Sequence, residues 1–163
     1  MTARHIALLA IVACAAAGCQ DPYHGRSAAV PTAPRRTAAP SSSTDTATAF
    51  ATRWINWDWK TLPHQQRALA RLAGGRLATR LRADADAAAR DETLARDQPA
   101  NRGTVAAISL NPSPGRARGL VVTRERTYTN GHADLGGVRY RIYRVAISAS
   151  HDGWRVTEWA PQP

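Results

Sequence analysis

Val138-Arg139-Tyr140-Arg141-Ile142-Tyr143-Arg144-Val145-Ala146-Ile147-Ser148-Ala149 decides the architecture of this chain. Alternation of polar and apolar side chains marks a strand with one face on a core. The apolar set changes parity partway: Val138, Tyr140 and Ile142 keep one phase, Tyr143, Val145 and Ile147 the other. Such a shift predicts a β-bulge, which bends a strand and increases its twist. Turn residues place this strand in an antiparallel series. Thr104 to Leu110 forms a first strand, closed by Asn111-Pro112-Ser113-Pro114-Gly115. Leu120 to Thr129 forms a second, ended by Asn130-Gly131, and Asp152-Gly153 turns the chain into a fourth over Trp154 to Trp159.

Upstream the period becomes helical. Phe50, Trp54 and Trp57 fall at i, i+4 and i+7, which predicts one helix face with an N-cap at Asp45 or a neighbouring threonine. Thr61-Leu62-Pro63 opens a second helix, since proline is tolerated in a first turn. Leu62, Leu69 and Leu72 share its apolar face, and Gly74-Gly75 ends it. A third helix runs from about Arg76 to Asp97 on a narrow stripe of Leu77, Leu81, Ala85 and Ala88. Its acid-before-base spacings, Asp86 to Arg90 and Glu92 to Arg96, read as a solvated face. The expected fold is α+β: three N-terminal helices packed in a bent four-stranded antiparallel sheet, a cone over residues 46–163 with aromatic side chains filling its interior.

Residues 1–45 obey a different logic. Met1-Thr2-Ala3-Arg4-His5, an apolar run from Ile6 to Ala17 and Gly18-Cys19 form an export signal of lipoprotein type over residues 1–19. The run has twelve residues, whereas a spanning helix takes about twenty. Cys19 is the expected lipidation site; the alternatives are ordinary signal cleavage without lipid, or Cys14 at the cost of a very short apolar segment. No other cysteine exists, so a chain lipidated at Cys19 has no internal disulfide to lean on. Residues 20–45, with Pro22, Pro31, Pro34, Pro40 and Ser41-Ser42-Ser43 among Ala and Thr, cannot bury enough surface to order themselves. They read as a tether lifting the domain off the membrane. The expected location is extracytoplasmic, anchored to the cell membrane by lipid.

The formal net charge is +10, and residues 102–163 hold nine arginines against four acids. Arg124 and Arg126 share one strand face, as do Arg139 and Arg141. A hairpin loop over 130–135 would set Arg126 opposite Arg139 and Arg124 opposite Arg141, a like-charge cluster calling for an anionic partner. Composition offers a blander source, because Lys60 is the only lysine among 22 basic residues. Export without a nucleic-acid motif points away from nucleic acid and toward an envelope protein partner or an anionic surface. Trp59 points about 140° round the helical wheel from Trp54 and is the best single candidate for an exposed contact; the alternative is that it packs under the sheet's C-terminal strand.

No chemistry-bearing constellation emerges. His5, His24, His64, His132 and His151 lack metal-ligand spacing, and no cysteine pair remains in the domain. Ser109, Ser148 and Ser150 have no nucleophile context. No cofactor or metal is expected. Trp54, Trp57, Tyr140, Tyr143 and Trp154 are candidate pocket lining, while Glu125 and Asp134 fall on an expected solvent-facing stretch and a turn.

Phe50-x3-Trp54-x2-Trp57-Asp58, the Leu-rich helices and the closing Gly153-Trp154-x-Val156 resemble the nuclear-transport-factor-2-like superfamily over about residues 46–160. Within it the chain looks like the actinobacterial Mce-associated and TcpC-type conjugation proteins. The resemblance implies a tethered, non-catalytic domain working by protein contact in conjugation, secretion or lipid transport. Those relatives usually carry a transmembrane helix where this chain has a lipoprotein signal. The ketosteroid-isomerase-like branch uses an interior Asp base, and no Asp of this chain matches it, so no catalytic residue is carried over. The alternative function is a small apolar-ligand binder or isomerase-type enzyme using the cone interior.

Overall fold

A computed structural model describes residues 42–163; the signal segment, Cys14, Cys19 and the tether up to residue 41 lie outside the described part. Four helices precede most of a curled antiparallel sheet: α1 (Ser43–Ile55), α2 (Leu62–Leu72), α3 (Gly75–Ala88) and the short α4 (Thr93–Asp97). The strands are β1 (Trp57–Asp58), β2 (Ala100–Ser113), β3 (Arg116–Thr129), β4 (His132–Ala133), β5 (Arg139–Ser150) and β6 (Gly153–Pro161). Their order is β1-β2-β3-β5-β6, with β4 on β3. The helices fill the hollow of the curled sheet, which is the cone-like α+β fold expected from the alternating patterns.

The start of α1 is capped by Ser42, whose hydroxyl accepts from the Asp45 backbone N–H at 3.0 Å. The cap therefore sits three residues before Asp45, and the helix takes in residues assigned above to the tether. Asn56 ends α1, so Trp57 leaves the helix and enters β1; Ile55 joins Phe50 and Ala51 on the buried face instead. The third expected helix is broken after Ala88, where Asp91 accepts from the Thr93 backbone and reopens the chain as α4. Asp86 pairs with Arg67 of α2 at 3.1 Å and Arg96 with Asp97 at 2.8 Å, so neither expected i,i+4 pair forms. All four partners are well exposed, where such contacts contribute little.

The phase shift along β5 is not a bulge. β5 pairs without interruption with β3 from Arg116↔Ser148 to Glu125↔Arg139. The irregularities lie elsewhere, at Ala106 of β2 and, where β5 runs past β6, at Thr157. Tyr143, Val145 and Ile147 face the helices and are buried, while Tyr140 and Ile142 face out. Apolar residues on both parities mean that both faces of this strand are apolar.

The core joins Phe50, Leu69, Leu77 and Leu81 of the helices to Val121, Tyr143, Val145, Ile147, Val156 and Trp159 of the sheet. Four aromatic rings form its centre: Phe50–Trp159 at 5.0 Å, Tyr143–Trp159 at 4.7 Å, Trp54–Trp159 at 5.9 Å and Trp54–Tyr143 at 6.3 Å. Offset and edge contacts of this kind add to area burial. Gly119 has no substitute here, because a Cβ would lie 1.9 Å from the Ser109 carbonyl oxygen.

Candidate functional site

Most of the residues singled out from sequence fall on two surfaces, one on each side of the sheet; Trp59 and Trp154 lie outside both. The hairpin register decides which residue goes where. Asn130 and Gly131 adopt positive φ of 53° and 77°, the backbone of a tight turn, and return the chain through β4 before Asp134–Gly137 turns it again. This double turn sets Glu125 opposite Arg139, Arg124 opposite Tyr140 and Thr123 opposite Arg141. The register differs by one residue from the sequence expectation, and the proposed Arg126–Arg139 and Arg124–Arg141 pairings do not form. Arg126 instead faces Arg102 of β2. Arg139 and Arg141 therefore share the parity of the inner face, and Arg124 and Arg126 that of the outer.

On the inner side, a cleft of about 510 Å³ opens between α2 and the sheet. Trp54, Trp57, Leu62, Leu69, Tyr143 and Pro161 give it apolar walls; Arg53, Gln65, Gln66, Asn101, Glu125, Thr127 and Arg141 add polar groups. Of the expected lining residues, Trp54, Trp57 and Tyr143 are present. Tyr140 points to the opposite face, and Trp154 packs on the core away from the cleft.

Glu125 is the residue that sequence reasoning misplaced. It is buried, not solvent-facing. Its Oε1 accepts from the Thr123 hydroxyl and, at 3.1 Å, from the Tyr143 hydroxyl, and its Oε2 accepts from Asn101 Nδ2 at 3.0 Å. Arg141 Nε stands 3.7 Å from Oε2, half in solvent. Asn101 also donates to the Ile55 carbonyl at 2.8 Å, tying this network to the end of α1. Burial, reinforced by the Glu125 charge, pushes the Tyr143 hydroxyl up to about 12, so at neutral pH it is a donor and not a base. With three hydrogen-bond donors already on it, the Glu125 carboxyl is committed to holding α1 and three strands together. Its signal was parity: Val121, Thr123 and Glu125 alternate on one face, and only its charge argued for solvent.

Among the described residues, no helix packs on the outer side of the sheet. Register puts Ala107, Val122 and Ile142 in one row, Ser109, Leu120 and Arg144 in the next, and Thr104, Arg124 and Tyr140 on the other flank. Leu120, Ile142 and Tyr140 are 45%, 42% and 68% exposed. Arg116 and Arg118 bound this apolar strip at one end, Arg124 and Arg126 at the other, and none of these four is ion-paired among the described residues. Arg144 is satisfied by Glu158 at 2.7 Å.

Trp59 lies half-buried in the turn after β1, with Lys60 Nζ 5.2 Å above its ring. Beside it, Asp58 binds Thr61 and pairs with Arg102 at 3.1 Å. Partial burial pushes the Asp58 carboxyl up, but the Thr61 and Arg102 contacts together outweigh it and hold the group below its ordinary value. The arginine strip contains no residue of this turn, but Arg102, which pairs with Asp58, lies opposite Arg126 at the strip's end. Among the described residues no group of three or more His, Cys, Asp or Glu comes together as a metal site, and no helix is long and apolar enough to cross a membrane.

No protein-family model matches the chain, and no curated protein matches it significantly. Solved structures with related shape include the Kfla4162 protein from Kribbella flavida, at 12% identity and TM-score 0.47 over 73% of this chain and 90% of that one. The intermembrane space region of the chloroplast protein ARC6 aligns at 21% identity and TM-score 0.46, over 75% and 98% of the two chains. A periplasmic fragment of TraM aligns at 12% identity and TM-score 0.44, over 74% and 97%.

Proposed function

We propose that this chain is a lipid-tethered module of the cell envelope, non-catalytic, which works by holding a protein partner against the outer face of its sheet. The observation that carries the proposal is the apolar strip of Leu120, Val122, Ile142 and Tyr140, uncovered among the described residues and ended on both sides by arginines with no ion pair among them. Apolar side chains left in solvent beside unsatisfied guanidinium groups are what a desolvated contact with an acidic rim requires. Arginine suits such a rim because its fork binds carboxylates in pairs. The lipoprotein signal and Pro-rich tether support an extracytoplasmic, membrane-held location. The inner cleft supplies no free acid–base pair, since Glu125 and Tyr143 bind each other.

A photo-crosslinking residue at Ile142 in the lipidated protein, compared with one at Arg82 on α3, tests this in native membranes. A discrete protein adduct at Ile142, lost on Arg124→Glu, is expected. Equal labelling at both positions would refute the assignment.

A second reading rests on the cleft itself: three aromatic walls, and a buried Gln66 Oε1 with no donor among the described residues. A small apolar ligand bearing a hydroxyl or amine would supply that donor. Saturable quenching of tryptophan fluorescence by such ligands, reduced in Trp57→Phe, favours this reading; no saturable change excludes it.

A further inference from the structure

The edge of β2 remains unexplained by the surfaces above. Beyond Asn101, where β1 ends, β3 is the only strand neighbour of β2 among the described residues. The first open position is closed by a side chain: the Asn56 amide accepts from the Gly103 N–H at 3.1 Å and donates to the Gly103 carbonyl at 3.1 Å, in place of a strand. From Thr104 to Asn111 no described residue outside β3 hydrogen-bonds to the backbone. Unpaired edges of this length template the addition of another strand, and proteins usually protect them with charges. This edge carries none: Thr104 to Ser113 contains no charged side chain, although 21% of the whole chain is charged. Val105, Ile108 and Leu110 touch the core with one side and remain half-exposed on the other, and Ala106 and Ala107 are exposed.

We propose that this edge docks a second copy of the chain, β2 against β2, in antiparallel two-fold pairing across Thr104–Asn111. Two-fold symmetry sets the residue at the axis beside itself and every other residue beside one equally far on the other side of it, so a stretch without charges meets its copy without any like-charge contact. An uncharged edge meets its own copy without repulsion and offers nothing to match a foreign acidic or basic strand. The chain's own tether is a poor occupant: Pro22, Pro31, Pro34 and Pro40 have no N–H to give, and Arg26, Arg35 and Arg36 add charge. Pairing at this edge extends the sheet and leaves both outer faces on one side. The dimer would therefore present two copies of the arginine-bounded strip to a partner, with the gain in avidity that follows.

The test uses the full-length lipidated protein in its membranes, with single cysteines at 106, 107, 108, 109 and 110 in turn, exposed to an oxidant. Directly opposed residues of antiparallel strands have Cα atoms about 4.5–5.5 Å apart, within the span of a disulfide. A covalent dimer is expected at one or two adjacent positions, above the level of the parent chain and of Arg82→Cys. In detergent the parent should have twice the mass of one chain. Lysine at the exposed position nearest the strongest self-crosslink should weaken the dimer, by up to about fivefold for one like-charge pair, and threonine there should not. Crosslinking no stronger than at Arg82→Cys, or a monomer in detergent, overturns the proposal. A monomer whose 104–111 amides are protected from hydrogen exchange also overturns it, by showing another occupant. The Ile142 adduct reads the outer face separately, so either proposal can fail alone.

Discussion

Along β5, Tyr143, Val145 and Ile147 face the helices and are almost completely covered, whereas Tyr140 and Ile142 are 68% and 42% exposed. Both sets have the residue types of a core. The inner set is matched by Phe50, Trp54 and Trp159, and the outer set is matched by nothing among the described residues. Since apolar area is stabilising only when something covers it, the inner face accounts for the fold, and the outer face calls for a reason outside the domain. The arginines sort the same way. Arg141 meets buried Glu125, while Arg124 and Arg126 meet no acid among the described residues.

This contrast can be broken from the inside first. Trp159→Ala removes the ring that touches Phe50, Trp54 and Tyr143, and should cost about 3–5 kcal/mol in denaturant melts. Less than about 1 kcal/mol would mean that the aromatic cluster is not the centre of the core. Glu125→Ala strands the Asn101 amide and the Thr123 and Tyr143 hydroxyls, with an expected loss of about 1–3 kcal/mol. A neutral outcome would return Glu125 to solvent.

The pH dependence sharpens the same point. Tyr143 ionises in the folded state at about 12 against an ordinary 10.0. A raised value contributes stability that is complete below pH 10 and is lost as pH rises toward 12. The parent should therefore lose stability over that window more steeply than Tyr143→Phe, which a pair of alkaline denaturation series would resolve. Equal slopes would place the hydroxyl in water.

How much of this was legible beforehand follows from the physics of each feature. The α+β order was open to reading because period 3.6 and period 2 are local properties. The register was not, because the segment after Thr129 contains two turns and a two-residue strand, and one residue of difference exchanges the faces. The parity change in β5 was visible but ambiguous: a bulge and a doubly apolar strand write the same pattern. Only the partner strand distinguishes them, and its uninterrupted pairing does so here. Glu125 was hidden by its charge, although Val121 and Thr123 shared its parity. Trp57 was lost to the helix by Asn56, whose side chain turns to Gly103. Trp54 and Tyr143 line the cleft in which the sequence had set them.

The most direct measurement is a paired reading of Ile142→Asp: its melting temperature, and the yield of the protein adduct formed by a crosslinker at the neighbouring Tyr140. An exposed substitution outside any network costs at most about 0.5 kcal/mol, or roughly 2–4 °C for a domain of this size. Melting within that range and an adduct reduced to background are expected. A large fall in melting temperature, or an adduct that survives the added carboxylate, would contradict the division of the sheet into a face for folding and a face for binding.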